Sequence, residues 1–260
     1  MRAPVALLAF LVFAGSAIAA DEPKPVIASE DKTIEASVVI DPALKTYPAL
    51  YEKLLASGKR QYDKARREAA AEYKSTPELF TDGRKFFFKR TDKLRSRIGP
   101  YVSVLRSDDT FEGGAHPNHV IDTLLWDASA GRFINIKPFF KEMADGGPTL
   151  GRLAHLIRAA LAVEKKARDI EVADPDTDQW LAGVKAKITD IGGIALAPST
   201  ERDKSSGFVV YFSPYAVGPY AEGEYEIFIP YSAFQSALSP AGLALFGGTR
   251  PKDDEKFDER

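Results

Sequence analysis

Cysteine is absent from the chain. Its absence excludes disulfides, thiol nucleophiles and every cysteine-based zinc site. Small exported domains often lean on bridges because their cores are small. The roughly 240 residues beyond the N-terminal segment are enough to bury one sizeable core or two modest ones without them. Histidine is also scarce, with three in the chain. There is no Gly-x-Ser-x-Gly elbow for a serine nucleophile and no phosphate-cradling Gly-rich loop. The one Ser-x-x-Lys, Ser29 to Lys32, falls in a leader and reads as a chance match. A large charge of one sign is missing too: the formal net charge is −2, which gives nucleic acid little to bind.

Long apolar runs are missing everywhere but at the start. "MRAPVALLAFLVFAGSAIAA", residues 1–20, has a basic residue, an apolar stretch and small residues at its end. This is the pattern of a signal peptide with cleavage near Ala20. The run is too short to favour a permanent span, although an uncleaved anchor is the alternative. No cysteine follows, so it is not a lipoprotein signal. The expected product is soluble, and periplasmic or secreted.

What charge there is divides unevenly. Lys45–Pro100 holds fifteen Lys/Arg against seven Asp/Glu, a balance of +8, and Tyr101–Phe246 holds thirteen against nineteen, a balance of −6. Such asymmetry can mark an anionic partner for the basic part. The basic residues are interleaved with acids along one helix, which reads as a solvated face.

Residues 21–32 read as a flexible leader. Ile34, Ala36, Val38 and Ile40 then alternate as in a half-buried strand. Leu50, Tyr51, Leu54, Leu55, Tyr62, Ala65 and Ala69 recur at helical spacing. Pro48 suits the first turn, and Gly58 marks a break or bend. "RKFFFKR" and "YVSVLRS" read as strands, and "HVIDTLLWD" and "RFINI" as a hairpin. Leu150, Leu153, Leu156, Ile157, Ala160 and Leu161 draw the stripe of a second long helix. "DTDQWLAGVKAKI" predicts a third, capped by Asp176 or Asp178. "GFVVYFS" and "EYEIFIP" are strands, "YSAFQSAL" a short helix, and 248–260 a disordered charged tail. Runs of strands broken by helices indicate an α+β fold, mostly antiparallel sheets with two long helices packed on them.

Two stretches carry candidate chemistry. "DTFEGGAHPNHV", residues 109–120, joins acids, two glycines and two histidines. Glu112, His116 and His119 have ligand types, but residues three apart on a strand point to opposite faces. No metal and no cofactor is expected. Gly113 and Gly114 permit positive φ and a tight turn, with His116 as a hydrogen-bonded anchor. In "YFSPYAVGPYAEGEYEIFIPY", residues 211–231, Tyr215 and Tyr220 lie in the irregular part between two strands. Tyrosine's apolar face and polar tip suit a binding surface, and equally suit packing the loop down.

Together these stretches resemble a bacterial envelope family. "FEGGAH" at 111–116 is similar to its "TGGAH" signature, with Glu112 where the signature has Thr. "YFSPYAVGPYAEGEYEIFIPYSAF" resembles its closing signature, and "GRFINIKPFF" its hairpin before the long helix. The family's domain forms the extracellular part of the lysozyme-sensing anti-sigma factor RsiV and a non-catalytic portion of the peptidoglycan deacetylase PdaC. The resemblance covers roughly residues 33–237. It implies a two-part module: strand–helix–strands over 33–118, then hairpin–helix–strands over 119–247. It also implies binding at the envelope, with lysozyme or peptidoglycan fragments as partners. The chain lacks the sigma-binding and deacetylase parts, so neither activity is implied, and the family lends no catalytic residues.

The expectation is therefore a binding module for a cell-wall component or a wall-degrading enzyme such as lysozyme. Its binding residues would be His116, Asn118, Tyr215 and Tyr220, with Gly113 and Gly114 shaping the loop. The alternatives are a hydrolase of envelope glycans or peptides using Glu112 or Asp109 with His116, and a structural envelope protein without a small ligand.

Overall fold

The computed structural model describes residues 23–254. The expected signal peptide, residues 1–20, lies outside them. The fold is α+β, as the pattern of elements predicts. A first sheet has the strand order β1 (Ile27–Glu30), β2 (Ile34–Ile40), β3 (Phe86–Ile98), β4 (Tyr101–Phe111), β5 (Asn118–Asp127) and β6 (Arg132–Ile134). Its pairings are antiparallel except β2 with β3. That exception follows from α1 (Pro48–Ser75), which carries the chain back across the sheet between them. The alternating face of β2 is buried at Ile34, Ala36, Val38 and Ile40, and packs with Leu50, Leu54 and Tyr62 of α1.

The second sheet orders β7 (Gly193–Ala197), β8 (Gly207–Phe212) and β9 (Tyr225–Pro230), all antiparallel. Every residue of β8 is buried, as in a strand covered on both faces. Phe208, Val210 and Phe212 pack with Leu153, Ile157 and Leu161 of α2 (Pro148–Ala167). Val209 and Tyr211 turn the other way, toward Leu105 and Ile121 of the first sheet. The layers thus run α1, first sheet, second sheet, α2. Serines stitch the sheets: Ser96 Oγ donates to Leu196 O (2.6 Å), and Ser103 Oγ accepts from Leu196 N (3.1 Å). A short α3 (Pro240–Leu245) closes the described chain's last turn. No helix among the described residues is long and apolar enough to cross a membrane.

Several expectations change. The expected leader contributes β1, whose Ile27–Glu30 backbone pairs with β2. The tail is ordered through Asp254, because buried Arg95 bonds Asp254 (2.7 and 3.1 Å) and Arg250 joins it (2.6 Å). Charge without periodicity hid a tertiary ion pair. The hairpin β5–β6 completes the first sheet, so the sheets do not divide at 118/119. The predicted third helix shrinks to a single 3-10 turn, Leu181–Gly183, with Asp178 accepting from Trp180 N and Leu181 N. "YSAFQSAL" forms two such turns, Tyr231–Ala233 and Gln235–Ala237.

Gly58 is neither break nor bend, since α1 runs unbroken through it. A Cβ there would stand 2.6 Å from Val38 Cγ1, so the glycine lets helix and sheet approach closely. Gly58→Val should therefore destabilise the protein by about 2 kcal/mol through overpacking, despite its better helix propensity. Urea unfolding checks this, and unchanged or raised stability contradicts the close-approach reading.

Candidate functional site

The hairpin tip between β4 and β5 turns on Gly113, at φ +82, a backbone state open to glycine. Gly114 does not share it, and a Cβ there would meet open space, so only the first glycine is required by the turn. Beyond the tip, His116 Nδ1 donates to Pro117 O at 2.9 Å. A carbonyl only accepts, so Nδ1 carries a proton, and Nε2 shares a hydrogen bond with Tyr215 Oη at 3.2 Å.

Tyr215 comes from the loop between β8 and β9. Ser213 fixes the start of that loop on β5: its Oγ accepts from Ile121 N (2.8 Å) and donates to Ile121 O (3.4 Å). Tyr215 itself sits at φ +69 and is 54% exposed. A bulky side chain in that region is strained. Tyr220 stacks on His116, with centroids 3.9 Å apart and planes at 22°, and its Oη donates to Pro117 O at 2.9 Å. Tyr215 and Tyr220 lie 5.5 Å apart. Two loops about a hundred residues apart in sequence thus meet in one aromatic cluster.

The loop is held from beneath. The Lys165 side chain, 2% exposed, comes off α2 to meet Glu222 Oε2 at 2.5 Å. Tyr225 Oη donates to the same oxygen. Burial works against the Glu222 carboxylate, but the Lys165 and Tyr225 bonds outweigh it and hold its pKa below the usual range. Burial and the same carboxylate push the Tyr225 phenol up. Arg168 Nη1 donates to the carbonyls of Glu222 (2.9 Å) and Glu224 (3.0 Å), and its guanidinium lies 4.1 Å over the Tyr225 ring. A Cβ at Gly218 would collide with the ends of the Glu222 and Lys165 side chains, so a larger residue there would displace the ion pair.

His119 stands beside this cluster, opposite Asp109 in the β4–β5 register. Its Nδ1 bonds Asp109, and its Nε2 reaches Glu224 Oε2 at 2.9 Å. Both ring nitrogens donate, so the imidazolium is the favoured state. Hydrogen bonds first to Asp109 and then to Glu224 push its pKa up to about 10.

The predicted binding residues therefore separate. His116, Tyr215 and Tyr220 come together, with Gly113 shaping the turn. Asn118 is exposed at the start of β5, and its side chain makes no hydrogen bond among the described residues. The hydrolase grouping does not assemble: Asp109 pairs with His119 rather than His116, and exposed Glu112 has no ion-pair partner among the described residues. Among the described residues, no group of three ligand-type side chains converges to hold a metal. The clamp of Lys165, Arg168, Glu222 and Tyr225 was missed. Its signal was present: Lys165 follows Leu161 by four residues, where the α2 stripe calls for an apolar side chain.

Residues 139–232 match the family model described as Protein of unknown function (DUF3298). This segment contains α2, the second sheet and the whole tyrosine loop, but not the His116 hairpin. A solved structure of a DUF3298 family member from Bacteroides fragilis is similar to the chain, with TM-score 0.51 and 17% identity over 84% of this chain and 92% of that one. A DUF3298 family protein from Pseudomonas aeruginosa aligns with TM-score 0.47 and 15% identity over 85% and 95%. The likeness to the first is one of fold alone. No curated protein matches.

Two outcomes test the clamp and the charged bridge. Lys165→Met should cost about 3 kcal/mol in urea unfolding, because it strands the Glu222 carboxylate in a largely buried place. A neutral or stabilising effect contradicts the clamp. The raised pKa of His119 gives stability that is complete below its unfolded value of 6.5 and is lost as pH rises toward 10. The melting difference between wild type and His119→Gln should be largest below pH 6.5 and shrink toward pH 10. A difference that grows with pH contradicts the bridge.

Proposed function

We propose that the chain is an envelope binding module whose recognition face is the cluster of His116, Tyr215 and Tyr220, with Asn118 at its margin. One observation carries the reading: the exposed Tyr215 is held in a strained backbone state and hydrogen-bonded to His116 of a distant loop, on which Tyr220 stacks. Strain of this kind concentrates at functional sites because the surrounding structure must maintain it. Tyrosines fixed in place lose little entropy on binding and offer a broad apolar face.

The partner we favour is a wall-degrading enzyme of the lysozyme type. The resemblance to the lysozyme-sensing envelope family supports it, since the tyrosine loop is part of that family's signature. Charge supports it as well. Lysozyme is cationic, and the half of the chain bearing the loop is acidic. Peptidoglycan fragments, whose sugar rings stack on aromatic faces, are the competing ligand. The hydrolase reading is less supported, because Asp109 bonds His119 rather than His116 and Glu112 has no ion-pair partner among the described residues.

Calorimetric titration with c-type lysozyme should give saturable one-to-one binding. Tyr215→Ala and Tyr220→Ala should each weaken it about tenfold or more, as for aromatic hot spots. Melting temperatures should stay nearly unchanged. A large stability loss without a change in affinity contradicts the recognition face. Heat with peptidoglycan fragments and none with lysozyme transfers the face to the wall itself.

A further inference from the structure

Helix α1 carries cations that the fold does not use. Lys59 pairs with Asp63, Lys64 with Glu68 and Arg66 with Asp31. Those pairs take up Asp63 and Glu68, while Glu52 and Glu72 of the helix have no ion pair among the described residues. Lys53, Arg60, Arg67 and Lys74 remain exposed, with no ion pair among the described residues. They recur every seven residues, so they form one stripe that drifts only about 20° per repeat. At a rise of about 1.5 Å per residue the stripe is about 31 Å long. Its Arg67–Lys74 end lies away from the face that Leu50, Leu54, Gly58, Tyr62 and Ala69 bury on the sheet, and its Lys53–Arg60 end lies on the flank of the helix toward the first sheet.

One end of the stripe opens into a pocket between α1 and the first sheet, about 330 Å³ in volume. Lys53, Ser57 and Arg60 line it from the helix, Arg106 from β4, Leu124 from β5 and Phe133 from β6. No carboxylate lines it. Arg106 is bound to buried Asp92 through Nε (2.7 Å) and Nη2 (3.0 Å), which fixes the guanidinium and leaves Nη1 without a hydrogen bond among the described residues. Phe133, 42% exposed and edge-on to Trp126, forms an apolar wall. A cationic pocket with one apolar wall at the end of a row of free cations has the shape of an end-group site on a polymer track.

We propose that this surface binds a linear polyanion with regularly repeated phosphate charges. One anionic unit would be seated in the Lys53–Arg60–Arg106 pocket, and the chain would follow Arg67 and Lys74. A membrane is the poorer fit, because the apolar face of α1 is buried and no large apolar residue of the helix is exposed. The surface lies on the opposite side of the first sheet from the second sheet and its tyrosine loop, so the inference does not depend on the aromatic face.

The test is a titration of the full chain with inorganic polyphosphate, beside orthophosphate and beside vesicles of phosphatidylglycerol and phosphatidylcholine. Polyphosphate should bind with an affinity that falls steeply as salt rises. The double variant Lys53→Gln, Arg60→Gln should bind about tenfold more weakly, and Arg67→Gln, Lys74→Gln should weaken it by a smaller factor. Lys185→Gln, Lys187→Gln removes the same charge elsewhere and should leave binding unchanged. Equal losses for all three pairs would show attraction to overall charge and overturn the site. So would vesicle binding without polyphosphate binding, or no binding at low salt.

Discussion

An ammonium buried against a single carboxylate sets the shape of the upper half of this molecule. Lys165 reaches out of the apolar stripe of α2 and ends on Glu222, which Tyr225 also holds. Burying a charge is costly unless it is paired and hydrogen-bonded. The pairing therefore dictates where the 213–224 loop must lie: Glu222 has to come down onto α2. Gly218 has to pass where a side chain would collide with that pair, and Arg168 closes the exit by taking two carbonyls. The placement of Tyr215 and Tyr220 is a consequence of this arrangement below them.

The other half of the face is set by strand pairing. The β4–β5 register puts His119 across from Asp109 and carries the turn at Gly113 to the same edge. Ser213 then binds both backbone groups of Ile121, so the end of β8 and the start of β5 are joined directly. His116 and Tyr220 meet because both elements are already fixed. Pro117 O, which accepts from both side chains, is the common point. Tyr215 takes the strained backbone state that remains.

How much of this could be read in advance follows from the range of each interaction. Periodicity is local, so α1, α2, the strands β2 to β6, β8 and β9 were legible, and so was the α+β class; β7, five residues without alternation of apolar and polar side chains, was not. The pairing of the 109–120 and 211–231 stretches was legible only as two parts of one family signature; their contact depends on tertiary placement. Long-range ion pairs were not legible. Asp254 lies in a segment that composition alone marks as tail, and its partner Arg95 is 159 residues away. Gly58 looked like a helix breaker because propensity is local and its reason, Val38, is not. Lys165 was the one missed residue with a visible mark, a charge on a helix's buried stripe.

The central claim is that the aromatic face is held ready in the free protein by the clamp beneath it. Amide hydrogen exchange of the unliganded chain tests this most directly. The loop amides of Ala216, Glu222 and Gly223 are hydrogen-bonded within a structure tied down at both ends. They should exchange slowly, at rates approaching those of β8 and β9. Exchange at the rate of an open chain, with β8 and β9 still protected, would show a loop that takes shape only on binding and would contradict the account.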